Sequence, residues 1–121
     1  MRPRSRITTL LLAGIMTALS LTAAHAHSGH LPPLDPNDPL SVDAHFCQDI
    51  VETALQALRD RDLGRAPRLL IEDDFRSRLR NELTRHVHAE PQIRSQKFAQ
   101  SYARARCNEA LLENRRNGPP P

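Results

Sequence analysis

The sequence predicts an all-α protein, a small three- to four-helix domain closed by one disulfide. Three observations carry that expectation. Apolar residues recur at helical i, i+3, i+4 spacing in three stretches, and no segment alternates apolar and polar residues as a half-buried strand does. Prolines and glycines gather at or between the ends of those stretches, where they break regular structure. The two cysteines, Cys47 and Cys107, each fall on the apolar stripe of a predicted helix, so oxidation would join faces that already have reason to meet.

Residues 1–26 have the pattern of a secretory signal peptide. Arg2, Arg4 and Arg6 form a basic start, and residues 7–21 an apolar run of about 15 residues, short of the roughly 20 that span a bilayer. Ala24-His25-Ala26 then places small residues at −3 and −1 of a cleavage site, making His27 the predicted first mature residue. Lys97 is the only lysine among many arginines, a usage that implies a GC-rich bacterial genome. The expected location is therefore periplasmic or secreted, with no membrane attachment after signal cleavage.

Residues 27–41 carry four prolines and predict an extended arm. Asp35, Asn37 and Asp38 lack the glycine and closing glutamate of a calcium loop, so turn and capping roles are expected. The helical domain is expected over 42–117. Ser41 or Asp43 caps its first helix, which carries Phe46, Cys47, Ile50, Val51, Ala54, Leu55 and Leu58 on one face and stops at Gly64. A second stretch over about 67–88 has Pro67 in its first turn and Ile71, Phe75, Leu79, Leu83 and Val87 at every fourth position. Asp73 and Asp74 can cap a fresh start within it. Pro91 opens the last helix, whose inner face is Ala99, Tyr102, Ala103, Cys107, Ala110 and Leu111, and Gly118 with the prolines of 118–121 ends it.

The cysteines constrain how these helices pack. Cys47 is near the start of the first helix and Cys107 about 24 Å along the last, at 1.5 Å per residue. An up-down-up bundle would leave them at unequal heights, whereas a disulfide needs Cα atoms within about 7 Å. Either the outer helices are antiparallel or strongly crossed, or the middle stretch breaks near Asp73–Asp74. The break is the favoured expectation.

Charge excludes one function class. Arg2, Arg4 and Arg6 account for three of the 17 basic residues, leaving residues 27–121 with 14 basic against 14 acidic. The basic pI thus belongs to the segment predicted to be removed, and nucleic-acid binding is not expected. Residues 27–62 are net acidic and residues 63–121 net basic, an asymmetry that helix docking or an oriented partner can use. Arg76, Arg78, Arg80 and Arg85 in the middle stretch could read an anionic wall polymer or lipopolysaccharide, but Glu72–Arg76, Asp74–Arg78 and Glu82–Arg85 stand at helical pair spacing and a solvated face is the favoured expectation.

Catalytic motifs are missing: no GxSxG, HExxH, CxxC or phosphate-binding glycine loop occurs, and no enzyme activity is expected. Metal chemistry has one candidate. Cleavage after Ala26 exposes His27-Ser28-Gly29-His30, where the free amine, the His27 ring and His30 can take Cu(II). Cleavage after Ala24 exposes His25-Ala26-His27, a square-planar nitrogen set for Cu(II) or Ni(II). His86 and His88 are two apart on a helix and point away from one another, so a shared metal is not expected; capping the helix C-terminus is. His45 has no evident partner.

The frame FCQDIVETALQALRDRDLG (46–64) with HAEPQIRSQKFAQSYARARC (88–107) resembles small periplasmic helical proteins in which an early and a late cysteine enclose the core. It looks like the small helical immunity proteins of type VI secretion, and in size and plan is similar to the HdeA-type acid-stress chaperones. The resemblance implies no particular functional residue. The expected function is a non-catalytic exported protein that binds another protein as inhibitor, immunity factor or chaperone. The alternative is a periplasmic Cu(II)/Ni(II)-binding protein that uses its mature N-terminus.

Overall fold

Asp38 sets the start of the first helix. In the computed structural model, which describes residues 30–118, α1 runs Pro39–Asp62, α2 Phe75–Ala89 and α3 Gln96–Asn117, with no strand among the described residues. The Asp38 side chain accepts the Leu40 N–H at 3.0 Å, and Pro39 fills the first turn, where a missing N–H costs nothing. The cap thus lies ahead of Ser41 and Asp43. Ser41 Oγ accepts the Asp35 N–H instead (2.9 Å), and Asp35 accepts the Asn37 N–H (2.9 Å), so this acidic cluster makes the turn and cap expected of it. Gly64, at φ 69°, is the left-handed stop just beyond α1.

The middle stretch is half helix. Residues 65–73 have no regular structure, and α2 begins at Phe75, at the expected break. Pro67 disfavours helix in the residue before it. At the restart, Asp74 accepts the Ser77 N–H (2.7 Å) while Ser77 Oγ accepts the Asp74 N–H (3.1 Å), a reciprocal capping box. The four-residue apolar series therefore loses its first member, and Ile71 is 88% exposed. The expected pairing of arginines along this stretch gives way to longer reaches: Glu72 pairs with Arg85 and Glu82 with Arg106 of α3, while Arg76 lies over the Phe46 ring. α3 also starts later than expected. Pro91 lies in a turn that buries Ile93, and Ser95 caps the helix by accepting the Phe98 N–H (3.1 Å).

Contacts fix the topology. α3 runs antiparallel to α1, since Asp43 meets Arg115, Cys47 meets Cys107 and Arg61 reaches Ile93. α2 runs parallel to α1: Phe46 packs on Phe75, Asp49 pairs with Arg80, and Arg61 bonds the Val87 carbonyl. Two consecutive helices can run parallel only if the chain returns between them. α1 is about 36 Å long at 1.5 Å per residue, and residues 63–74 cover about 40 Å when extended. That return segment, the strap, lies along the outside of α1 and α2.

Between the helices, α1 contributes Phe46, Ile50, Val51, Ala54, Leu55 and Leu58 to the core, and α2 contributes Leu79, Leu83 and Val87. α3 adds Ala99, Ala103, Cys107 and Ala110, a face of small residues that lets its backbone approach α1 closely. Cys47 and Cys107 form the disulfide, with Cα atoms 5.6 Å apart. No described helix is long and apolar enough to cross a membrane.

Candidate functional site

Non-helical backbone survives against a helical bundle only if its polar groups find partners. Three clamps anchor the strap and take part of its backbone, leaving the rest to solvent. At its start, the Asp60 carboxylate on α1, 1% exposed, receives both Arg68 Nε (3.0 Å) and Arg68 Nη2 (3.2 Å), a two-pronged charge-assisted contact, and Gln56 Nε2 at 2.9 Å. Arg65 approaches the same carboxylate at 3.7 Å and donates its backbone N–H to the Asp60 carbonyl.

Asn81 of α2, also 1% exposed, is the central clamp. Its Oδ1 accepts the Leu70 N–H and its Nδ2 donates to the Leu70 carbonyl, both at 2.8 Å, and Nδ2 lies 3.1 Å from Glu72 Oε1. One side-chain amide thereby takes the two backbone groups that a neighbouring β-strand would take. Arg85 Nη1 holds Glu72 at 3.0 Å. The Asn81 and Arg85 hydrogen bonds hold the Glu72 carboxyl below its ordinary range. At the far end Ser77 Oγ accepts the Asp73 and Asp74 N–H groups (3.1 Å each), and the Ser77 N–H lowers the Asp74 pKa in the same way.

Clamped so, the strap displays Leu69, Leu70 and Ile71 at 47, 49 and 88% exposure. Beneath Leu70 a cleft of about 520 Å³ separates the strap from α1 and α2. Most residues that line it are polar or charged: Asp60 and Asn81 hold the strap, Asp49 pairs with Arg80 at 3.4 Å, and Thr53 donates to the Asp49 carbonyl within α1. Asp60 and Asn81 fasten the strap to α1 and α2, and the Asp49–Arg80 pair joins those two helices beneath it.

The sequence-predicted site residues disperse. Cys47 and Cys107 come together. His30 is exposed, and Ala24, Ala26 and His27 lie outside the described residues. Among the described residues no three metal-capable side chains cluster. His45 Nε2 meets the Pro32 carbonyl at 2.8 Å and ties the arm to α1. His86 stacks on Tyr102 at 4.5 Å, and burial raises the Tyr102 pKa. The carbonyls at the end of α2, expected to be capped by His86 and His88, are taken by Arg61: Nη1 donates to Val87 and Glu90 (2.8 Å each) and Nη2 to Ile93.

Asn81, Asp60 and Arg61 are the residues that sequence reasoning missed. One signal was present for Asn81. Ser77, Asn81 and Thr84 form an uncharged polar stripe at i, i+4, i+7 in a helix otherwise rich in arginine, and all three are buried. Such a stripe beside the apolar one marks a face turned toward backbone.

No protein-family model, curated protein or solved structure matches this chain.

Proposed function

We propose that this chain is an exported, non-catalytic helical protein that binds another polypeptide, in the manner of an inhibitor, immunity factor or chaperone, through the strap. One observation carries the reading: three consecutive large apolar side chains are held in solvent by a buried amide and a buried carboxylate. Exposed apolar residues scattered singly are ordinary, but a contiguous, clamped group marks an interaction surface. Asp60, Arg68 and Asn81 of the cleft are engaged in holding that group in place, which favours binding over chemistry for those side chains. Export is supported by the signal-like residues 1–26 and by a disulfide, which persists in oxidising compartments.

A photo-cross-linking amino acid at position 71 tests the reading in intact cells. The expected result is a discrete polypeptide adduct at 71 and none at the exposed position 97 of α3. Equal labelling at both positions, or none at 71, overturns it.

A further inference from the structure

We infer that the strap's partner is a second copy of this chain, paired antiparallel about Leu70; this rests on the strap being a polypeptide-binding face. The argument begins with backbone direction. In an extended chain the N–H and C=O of one residue point to the same side, and those of its neighbours to the other. Asn81 takes both groups of Leu70, so both groups of Leu69 and the N–H of Ile71 are left to the outward edge. The Leu69 N–H, the Leu69 C=O and the Ile71 N–H have no hydrogen-bond partner among the described residues, while the Ile71 carbonyl accepts the Asp73 N–H (3.2 Å) where the segment turns into α2. This is a short open strand edge, the element to which a second strand adds.

Charge selects the occupant. The segment reads Arg65-Ala66-Pro67-Arg68-Leu69-Leu70-Ile71-Glu72-Asp73-Asp74: basic at one end, apolar in the middle, acidic at the other. Turned end for end, it complements itself. With Leu70 opposite Leu70 of the second copy, Leu69 faces Ile71, Arg68 faces Glu72 and Pro67 faces Asp73, so the basic end of each segment lies toward the acidic end of the other. A parallel pairing would set Arg68 against Arg68 and Glu72 against Glu72. An antiparallel register shifted by one step of the same edge would set a leucine against an acid or an arginine. Arg68 and Glu72 keep exposed surface beyond their internal contacts and can face outward as well. The contact is isologous, as a two-fold dimer requires.

The edge also limits itself. Pro67 is the next outward-facing residue and has no N–H to offer, so the ladder ends there. The other side of Leu70 is closed by Asn81. Two strands pair and no third can join, which gives a closed dimer and not a growing sheet.

Sedimentation of the purified oxidised protein across the micromolar range is expected to show twice the chain mass, and Ile71→Asp, at an exposed position, to return it to the monomer with unchanged helicity. Register is read by cysteine placement. Opposed residues at a non-hydrogen-bonded position have Cα atoms about 4.5 Å apart, inside disulfide reach. Leu70→Cys should therefore give a covalent dimer on mild oxidation with the Cys47–Cys107 bond intact, and Leu69→Cys little. A wild-type monomer throughout, a dimer that persists in Ile71→Asp, or equal cross-linking from both cysteines overturns the proposal. A monomer whose position 71 cross-links a different polypeptide overturns the second copy alone; a monomer with no adduct overturns the polypeptide-binding reading with it.

Discussion

Along α3, Ala99, Ala103, Cys107 and Ala110 press small side chains against α1, and a covalent bond closes the contact. Along the strap, Leu70 is held off by one amide, and Arg68 by one carboxylate. Both seams fasten a segment to α1 or α2, but they are made of different physics. The first is apolar and covalent along its buried face, with ion pairs such as Asp43–Arg115 only at its rim. The second is polar, and each clamp stands alone. A segment held in the second way is the easier one to release, and local opening in folded proteins draws on regions of this kind.

The largest expected effect breaks the first seam. Cys47 and Cys107 close a 60-residue loop. In the chain-entropy model that loop restricts the unfolded chain by about 4 kcal/mol, a large share of the 5–15 kcal/mol typical of a whole domain. Cys47→Ser, or reduction of the wild type, should lower the thermal midpoint by roughly 15–30 °C at the sensitivity of a domain this size. Circular dichroism melts with and without reductant decide it. A shift of only a degree or two would mean that the alanine-lined seam holds without its bond.

An intermediate effect breaks the central clamp. Asn81→Ala removes both partners of Leu70 and leaves its N–H and C=O to water that must enter beside α2, at a cost of about 1–3 kcal/mol. Hydrogen exchange is the sharper measure, because the Leu70 amide should lose protection while the amides of α1 and α3 keep theirs. Asn81→Asp is expected to behave alike. It retains an acceptor for the Leu70 N–H, but it loses the donor and sets a second carboxylate against Glu72. Uniform loss of protection in all three helices would show that the two seams are one cooperative unit.

The same contrast governs what could be read before the fold was known. α1 was legible because Phe46, Ile50, Val51, Ala54 and Leu58 repeat the helical period and Gly64 stops it. The cysteine pair was legible from the two apolar stripes that carry it, and chain geometry then asked for antiparallel or crossed outer helices or a broken middle stretch; the structure has the antiparallel pair and the break together. Ile71 misled, since its four-residue spacing to Phe75 continues a helical period that the Asp74 cap interrupts. Nothing near the strap in sequence states its conformation, which depends on an amide at 81 and a carboxylate at 60. Arg61 was hidden for the same reason: the carbonyls it caps lie 26 to 32 positions away. Periodicity reports local packing, whereas these clamps join distant backbone to single polar groups. The N-terminal histidines are a different case, because the chemistry proposed for them needs a free amine at His25 or His27 and no support from the fold.

The smallest expected effect sharpens the comparison without altering a residue. Glu72 and Asp74 both lie on the strap side, and both are held below their ordinary pKa by hydrogen bonds, Glu72 chiefly by Asn81 and then Arg85, Asp74 by Ser77. A carboxyl whose folded-state pKa is depressed contributes stability that is complete above its unfolded value, about 4, and is lost as pH falls through the lower folded value. Acid should therefore loosen the strap, and alkali should not. Glu72 and Asp74 are exposed, so the effect is local and screened by salt. The α1–α3 core has no titrating group on its apolar face and should hold through the same range. Hydrogen exchange corrected for the intrinsic pH dependence, measured from neutral pH down to about 3, should show Leu70 losing protection before Ile50 or Ala103. The order carries the claim: loss at Ile50 first, or a strap that loosens as pH rises, would mean that the Glu72 and Asp74 hydrogen bonds do not hold it.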